Sequence, residues 1–367
     1  MNSNKFVKTV LVGTGTLLIL AGGMTAVIDP FFHYHKPLKQ LEYPLERGKE
    51  RYLNNGIIQN FDYDAAITGT SMMQNFKTSQ FDDLFGTHSV KVTLTGDTYW
   101  AIDEEIRTIF DNKSDIKYIF RCLDYNKIFD DKSDYNYDNV PTYLYDNNIW
   151  NDVQYLFNKD IFIDNTLGVI KYTLHGEKTP SMDEYSSWAA DYPVGTDYVL
   201  QTYSVPTKIE KQKKFSEDDA KTVRHNVEAN VLDMVKAHPE TTFYFYTPPY
   251  SAVWWYKLKC SGNLERYFEA EKLQAELLME YDNVKLFSFT DLFELTCDLD
   301  NYKDDTHYSE SISENIINWI YDDKGLMTPQ NYESRIQKML NYYLDYDYSR
   351  SGIPLVDRKS TRLNSVT

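Results

Sequence analysis

Residues 65–76 read AAITGTSMMQNF, and this stretch decides the fold class. Residues 65–68 are apolar or β-branched, which is typical of a buried strand, and a helical pattern begins at Met72. Ser71 therefore lies at the passage from a strand to a helix. In open α/β sheets this junction borders the crevice where ligands bind, and the free N–H groups of a helix N-terminus favour an anion. Ser is also a good N-cap residue, so Ser71 alone leaves a functional and a structural role open.

Further strand-like and helical segments follow this first pair in alternation. The strand-like runs are residues 65–68, 90–94, 116–123, 242–247 and 284–289. A capping box of Ser216 and Asp219 predicts a helix that Pro239 ends, and two more helical patterns cover residues 264–281 and 309–321. Strands that alternate with helices form mostly parallel sheets with helices on both faces. The sequence therefore predicts an α/β fold.

Residues 10–28 form a run of 19 residues without a charge. At about 1.5 Å per residue, such a helix nearly spans a hydrocarbon core of about 30 Å. Two lysines precede the run, so the positive-inside rule predicts a cytoplasmic stub over residues 1–9 and an extracytoplasmic location for the rest. A core helix would show a polar stripe, and a cleaved signal peptide needs a small residue where Met24 stands. We expect a single-pass anchor in the cell membrane, with a cleaved signal peptide as the alternative.

Composition and charge exclude several classes of function. The 367 residues carry 38 Lys and Arg against 55 Asp and Glu, a net charge of −17 without a basic cluster for nucleic acid. The hydrophobic content of 42% is too high for a disordered chain. The three cysteines lack the spacing of a zinc site or a disulfide framework, although a Cys260–Cys297 pair stays open. His33 and His35 are two residues apart without a third ligand nearby, so we expect no metal.

The rest of the chain divides by composition. Residues 29–56 are rich in Pro, His and aromatic residues and predict a connector between the anchor and a main domain over residues 57–346. Within that domain, residues 127–215 are rich in Tyr, Asp and Asn, break the alternation and predict an insertion over one end of the sheet. This insertion either contacts carbohydrate or consists of packing and solvated acidic side chains. Residues 347–367 form a tail, of which 357–367 resemble a cloning sequence more than a part of the domain.

A second motif, near the end of the chain, provides a partner for Ser71. Residues 301–311 read NYKDDTHYSES, in which Asp304 and His307 are three apart just before a helical pattern. A Ser nucleophile needs a base that takes its proton, and a His base needs a carboxylate that fixes its tautomer and stabilises the imidazolium. Asp-x-x-His alone is a weak signal, but together with a Ser after the first strand it favours a Ser–His–Asp site.

With these two motifs, residues 64–321 resemble the SGNH hydrolase superfamily, also called GDSL-like esterases. The resemblance implies a flavodoxin-like three-layer α/β/α sandwich with Ser71 as nucleophile, His307 as general base and Asp304 as its orienting partner. It also implies an oxyanion hole formed by the N–H groups of Ser71 and of Gly96 in TLTGDTYW. Each such donor typically contributes about 3 kcal/mol in the transition state.

The sequence departs from this family after the third strand. The family usually has Gly-x-Asn-Asp there, with the Asn side chain as a third oxyanion donor, whereas residues 122–126 read CLDYN. Asn126 is the candidate donor, at a shifted position and without the Gly. Together with the anchor, this departure looks like the membrane-tethered SGNH-like proteins of bacterial cell-surface glycopolymer modification. These include alginate-type O-acetyltransferases and the D-alanine transfer protein of teichoic-acid pathways.

Aromatic residues follow the fourth strand in the sequence TPPYSAVWWY, residues 247–256. Strand ends face the site in this kind of fold, so Tyr250, Trp254 and Trp255 are candidates for a substrate rim that stacks on a sugar. Core packing explains one or two of these rings equally well.

We expect an extracytoplasmic serine esterase or O-acyltransferase that acts on acyl esters of cell-envelope or extracellular glycans, without a metal or an organic cofactor. Hydrolysis and transfer share their first half-reaction, so the sequence leaves both open. The acidic chain favours a neutral polysaccharide over a polyanion. The alternative is a non-catalytic SGNH-like module that binds a glycan or a partner acyltransferase at the membrane.

Overall fold

The computed structural model describes residues 3–130, 133–137, 140–146 and 148–356, so the expected foreign tail, residues 357–367, lies outside the described part. The strands are β1 Ala65–Gly69, β2 Ser89–Thr93, β3 Tyr118–Cys122, β4 Thr242–Thr247 and β5 Val284–Ser288. The α-helices are α1 Ser3–Ile28, α2 Glu50–Asn60, α3 Thr78–Phe85, α4 Tyr99–Asn112, α5 Val153–Leu156, α6 Leu167–Leu174, α7 Thr196–Thr202, α8 Glu217–Val227, α9 Asp233–Ala237, α10 Ala252–Cys260, α11 Leu264–Leu278, α12 Phe293–Thr296, α13 Glu310–Tyr321 and α14 Tyr332–Asp345.

The five strands run parallel in the order β2-β1-β3-β4-β5, which is the strand order of flavodoxin-like sandwiches. Ala66 on β1 pairs with Val90 on β2 and with Ile119 on β3. Every residue of β1 and β2 is buried although successive side chains point to opposite faces, so both faces of the sheet are covered. The predicted α/β class is confirmed, and all five expected strands are in place with their ends shifted by at most two residues.

The predicted capping box is present at the start of α8. Ser216 Oγ accepts the N–H of Asp219 at 3.1 Å, and the Asp219 carboxylate accepts the N–H of Ser216 at 2.9 Å. The helix continues through a wider π turn, Glu228–Leu232, into α9 and ends before Pro239, as the sequence predicts.

The chain forms two compact units. The first comprises Met1–Asp62 and Tyr137–Ser186, and the second, which contains the sheet, comprises Tyr63–Asn136 and Ser187–Thr367. This division differs from the expected one, in which residues 127–215 form a single insertion. Residues 137–186 group with the anchor and the connector because part of this stretch, α5 and a π turn at Ile161–Thr166, packs on α1.

In the first unit, α1 is long and apolar enough to cross a membrane. After it, the buried Asp29 turns the chain with a left-handed φ of 48°. Its carboxylate accepts hydrogen bonds from the N–H groups of His33, Tyr34 and His35 and from the hydroxyl of Tyr155. The His33 ring pairs with Asp152 Oδ1 at 3.3 Å. Among the described residues, no group of three or more His, Cys, Asp or Glu side chains is placed to hold a metal ion.

The cysteines carry free thiols, so the Cys260–Cys297 pair that the sequence leaves open is not formed. Cys122 and Cys260 are buried. Cys297 is half-buried, and its Sγ lies 3.6 Å from the hydroxyl of Tyr342.

A buried carboxyl group lies beside the last residues of β4 and β5. Glu271 on α11 is 2% exposed, and its Oε1 accepts the hydroxyl of Thr247 at 3.1 Å and that of Ser288 at 3.4 Å. Burial raises the pKa of Glu271 to about 7, and the hydrogen bonds from these hydroxyls offset only part of that effect. The ionised form of Glu271 is therefore costly in the folded chain.

Candidate active site

Ser71 follows β1 on a tight loop. Gly69 has a φ of 136°, and a Cβ atom there would lie 2.7 Å from Met73 Cγ and 2.9 Å from Cys122 Sγ, so only glycine fits. Ser71–Met73 then form a single 3₁₀ turn. Ser71 stays partly exposed at the carboxyl end of a strand that has neighbours on both sides, which is where ligands bind in open α/β sheets.

The helix predicted to begin at Met72 begins at Thr78 instead. Lys91 on β2 is fully buried, and its Nζ donates to the carbonyls of Gln74 at 2.6 Å and of Phe76 at 3.1 Å. A continuous helix would need these carbonyls as acceptors for its own N–H groups, so the chain leaves the helical path here. A helix N-terminus does follow Thr70, but it belongs to the single 3₁₀ turn Ser71–Met73, and the predicted longer helix does not begin there.

The structure brings Ser71, His307 and Asp304 together although 236 positions separate the first two. Ser71 Oγ lies 2.8 Å from His307 Nε2, and His307 Nδ1 lies 2.8 Å from Asp304 Oδ2. The ionised carboxylate accepts a hydrogen bond from Nδ1 only in the Nδ1–H tautomer, and this tautomer leaves Nε2 free to accept the Ser71 proton. The distance of 2.8 Å between Ser71 Oγ and His307 Nε2 is within reach of direct proton transfer. The three side chains are arranged to activate Ser71 as a nucleophile.

The loop that carries Asp304 keeps this side chain ionised. Burial opposes ionisation, but the hydrogen bond and charge of His307 and the N–H groups of His307 and Thr306 outweigh it and hold the pKa of Asp304 well below its ordinary value. Those N–H groups lie 2.8 Å and 2.9 Å from Asp304 Oδ1. The next residue, Asp305, instead binds Lys257 Nζ at 2.5 Å. Two adjacent carboxylates thus have separate roles, one at the site and one in an ion pair.

Trp188 borders the Ser–His pair, and no motif in the sequence predicts it as a site residue. Its Nε1–H donates to the Ser71 carbonyl at 3.1 Å, and its ring stands edge-on to the His307 ring with centroids 5.5 Å apart. The backbone N–H of Trp188 donates to Asn75 Oδ1 at 3.0 Å. Trp188 lies in a stretch without strand or helix periodicity, so the aromatic content of that stretch is the one signal for it.

A buried carboxylate, Asp124, lies after β3, where the sequence resemblance leads us to expect a third oxyanion donor. Asp124 follows β3 closely and is 2% exposed. It accepts the hydroxyl of Thr70 at 2.6 Å and that of Tyr250 at 2.5 Å. Since Thr70 directly precedes Ser71, Asp124 helps to hold the loop that carries Ser71.

The two further oxyanion candidates lie in different settings. Gly96 is at the turn after β2 with a φ of 65°, and its carbonyl accepts Lys127 Nζ at 2.7 Å and Asn136 Nδ2 at 2.9 Å. These bonds fix the peptide that follows Gly96. Asn126 lies exposed on the turn that ends at Lys127, and no hydrogen bond in the described chain joins its side chain to Ser71.

Two of the three expected rim residues belong to the core. Tyr250 and Trp255 are fully buried, and Trp255 Nε1–H donates to the Tyr250 carbonyl at 3.0 Å. The rim prediction is wrong for both, because the Tyr250 hydroxyl binds the buried Asp124 and Trp255 lies on the buried side of α10. Trp254 is half-buried and lines a surface groove of about 460 Å³ together with Lys257.

No protein-family model matches this chain, and no curated protein matches it. A solved structure from Streptococcus pneumonia that carries the name of a platelet activating factor is similar at 12% identity and a TM-score of 0.39. The likeness covers 76% of this chain and 92% of that chain. We draw nothing from a likeness at this level. The fold class rests on the parallel sheet, and the candidate site rests on the contacts of Ser71, His307 and Asp304.

Proposed function

We propose that this chain is a serine-dependent esterase or O-acyltransferase of the SGNH type that acts on acyl esters of cell-envelope or extracellular glycans. The observation that carries the proposal is the hydrogen-bonded line from Ser71 Oγ through the His307 ring to the Asp304 carboxylate. A Ser after the first strand and an Asp-x-x-His before the last helices are the motifs of that superfamily, and the strand order of the sheet agrees with its fold.

The geometry supports a two-step acyl transfer. Ser71 Oγ attacks the ester carbonyl while His307 Nε2 takes its proton, and the ionised Asp304 stabilises the imidazolium. The N–H groups of Ser71 and Gly96 stabilise the oxyanion of the tetrahedral intermediate. His307 then gives its proton to the leaving alcohol as the ester bond breaks, and acyl-Ser71 remains. Water or a sugar hydroxyl attacks this ester in the same way, which gives hydrolysis or transfer.

We propose that α1 is retained as an anchor, with the site outside the cell. Thr25 Oγ1 lies 3.1 Å from Thr166 Oγ1, and the Phe157 ring packs on Gly22. Cleavage at a signal-peptide site near Met24 would remove the Gly22 contact, which supports retention of the helix. The two lysines before the apolar run support a cytoplasmic N-terminus.

Aromatic rings near the Ser–His pair support a sugar as the alcohol part of the ester. Lys303 Nζ lies 5.2 Å from the ring centre of Trp188 and 3.7 Å from that of Tyr192, so both rings border the loop that carries Asp304. Rings of this kind pack on the apolar faces of sugars. The second candidate is a non-catalytic module that binds a glycan or a partner acyltransferase. The position of Asp124 and the exposure of Asn126, where the family has its third block, favour this candidate.

Trapping the acyl-enzyme tests the proposal. The full chain in detergent micelles is mixed with p-nitrophenyl acetate, quenched in acid and digested, and its peptides are mapped for acetyl groups. We expect release of p-nitrophenolate and an acetyl group on Ser71, both in the wild type and in Ser311→Ala, whose exposed hydroxyl lies on α13. Acetylation at other residues only, or no turnover, would favour the non-catalytic module.

The same assay separates hydrolysis from transfer when an unacetylated neutral oligosaccharide is added. Both water and the sugar hydroxyl attack the same acyl-Ser71, so the products tell the two reactions apart. A transferase is expected to produce acetylated oligosaccharide in proportion to the p-nitrophenolate released. An esterase is expected to produce free acetate regardless of the oligosaccharide.

Removing the Thr70 hydroxyl is expected to slow the chemistry without weakening substrate binding. Thr70→Val keeps the shape of the side chain but loses the bond to Asp124, so Ser71 is held less firmly. We expect kcat for p-nitrophenyl acetate to fall about tenfold with little change in KM. Thr70→Ser restores the hydroxyl and is expected to restore kcat.

The control for this prediction is Thr68→Val on the same strand, because the buried Thr68 hydroxyl has no partner among the described residues. This variant is expected to keep the wild-type kcat. If Thr70→Val lowers the Tm but leaves kcat unchanged, Thr70 has a structural role only.

A further inference from the structure

We propose that residues 149–174 of the first unit lie in the lipid interface beside α1, so that a surface as well as a helix holds the chain at the bilayer. The inference rests on the anchoring role proposed above for α1. In this inference, the lipid bilayer covers the exposed apolar side chains of the segment.

The outer end of α1 is packed against this segment, and the contact sets the depth of the segment. A Cβ atom on Gly22 would lie 2.8 Å from Phe157 Cε1, and Thr25 Oγ1 lies 3.1 Å from Thr166 Oγ1. Gly22 precedes Ile28, the end of the uncharged run, by six residues, which is about 9 Å along the helix axis. A helix that crosses the membrane with this run therefore holds Phe157 about 9 Å inside the outer end of the run, within the depth of about 5–10 Å to which interfacial helices bury their apolar side chains.

The segment exposes large apolar side chains. The most exposed are Trp150 at 83%, Leu174 at 79% and Ile149 at 73%. Other exposed apolar residues of the segment are Val153, Phe157, Ile163 and Leu167. Burying apolar surface away from water stabilises a protein by about 25 cal/mol per Å², and exposed apolar clusters often mark interaction sites. Trp is moreover the residue that most favours the membrane–water interface. The side chains of the segment are therefore suited to contact lipid.

The backbone and the charges of the segment suit an interface and not the hydrocarbon core. Val153–Leu156, Ile161–Thr166 and Leu167–Leu174 are helical, so many of their backbone groups are paired internally, as contact with lipid requires. Exposed charged residues lie among the apolar ones, namely Lys159, Asp160, Asp164 and Lys171. These charges stay solvated when the segment lies in the interface, with its apolar side chains toward the lipid and its charged ones toward the head groups.

Spin labels on the full chain test the depth of this segment. The chain, with its native cysteines replaced by Ala, is placed without any other protein in nanodiscs of phosphatidylcholine and phosphatidylglycerol. The test positions are labelled through Val153→Cys and Leu174→Cys. Leu18→Cys on α1 provides the lipid reference. Asp218→Cys on α8 provides the aqueous reference, because the Asp218 side chain is 92% exposed. Electron paramagnetic resonance measures the collisions of each label with oxygen and with a water-soluble nickel complex, and circular dichroism checks the fold.

We expect the labels at positions 153 and 174 to favour collisions with oxygen over nickel by several-fold more than the label at position 218. If they are as accessible to nickel as the label at position 218 while the label at position 18 contacts lipid, the inference is overturned and the anchor stands. The exposed surface would then be free for a protein partner. If the label at position 18 is itself exposed to water, the anchor fails and the inference fails with it.

Discussion

The substitution Asp304→Asn is expected to lower kcat for p-nitrophenyl acetate about 10⁴-fold, as the loss of the carboxylate does in other Ser–His–Asp sites. The Asn side chain keeps an oxygen for the N–H groups of Thr306 and His307, but its NH₂ group faces the His307 ring as a donor. Nδ1 must then accept a hydrogen bond, so the ring proton moves to Nε2 and points at Ser71. In that tautomer His307 cannot take the Ser71 proton. Steady-state kinetics measure the loss, and Ser71→Ala is expected to abolish turnover in the same assay.

Asp305→Asn is the matched control for Asp304→Asn, because it removes the neighbouring carboxylate, which binds Lys257 at the surface. We expect kcat to change by less than about twofold, since an exposed ion pair contributes little to stability and does not touch the His307 ring. Equal losses in the two variants would contradict the role given to Asp304 and would indicate a general disturbance of the loop.

The pH dependence of stability provides a second measure of Asp304. Its folded pKa is depressed, so its contribution to the free energy of unfolding is present above the unfolded value of about 4 and is lost as the pH falls through the folded value. Asp304→Asn lacks this contribution at every pH. The difference in stability between wild type and variant is therefore expected to shrink as the medium is acidified below about pH 4.

The substitution Glu271→Gln is expected to raise the free energy of unfolding by about 2 to 3 kcal/mol at pH 8. The pKa of Glu271 is about 7 in the folded chain, above its ordinary value of 4.5. The protonated carboxyl group therefore contributes its full stability below pH 4.5, and this contribution is lost as the pH rises through about 7. At pH 8 the wild type carries a buried carboxylate, whereas the Gln side chain is neutral and its oxygen still accepts the hydroxyls of Thr247 and Ser288.

Urea titrations at pH 4.5 and pH 8 in the same detergent measure the effect of Glu271→Gln. We expect the gain at pH 8 to vanish at the lower pH, where both side chains are neutral in the folded chain. Glu269→Gln on the same helix is the control, because Glu269 is exposed and its substitution is expected to change stability by less than about 0.5 kcal/mol at either pH. A gain at pH 8 that persists at pH 4.5 would contradict burial of the Glu271 charge as its cause.

The sequence predicts the sheet and the Ser–His–Asp site because both depend on short-range patterns. Each strand is a run of apolar or β-branched residues between turn signals, and parallel strands deliver their carboxyl ends to one edge. Once Ser71 follows one strand and the Asp-x-x-His loop follows the last, their meeting is a consequence of topology.

The residues that the sequence does not predict depend on contacts between distant segments. Lys91, on the neighbouring strand β2, binds the carbonyls of Gln74 and Phe76 and so interrupts the helical path after Ser71. No local sequence pattern predicts these bonds. Trp188 and Asp124 contact the nucleophile loop from 117 and 54 positions away. Tyr250 has an aromatic ring that suits a sugar as well as a core, and only its burial decides between the two.

Residues 137–186 leave the second unit and return to it at residues that contact the candidate site. Asn136, the last residue before the chain leaves the second unit, donates to the carbonyl of Gly96, and Ser187, the first after it returns, donates its hydroxyl to Asn75 at 3.1 Å. Trp188, which follows Ser187, binds the carbonyl of Ser71. Residues 137–186 therefore leave the second unit beside the turn at Gly96 and re-enter it beside the loop that carries Ser71.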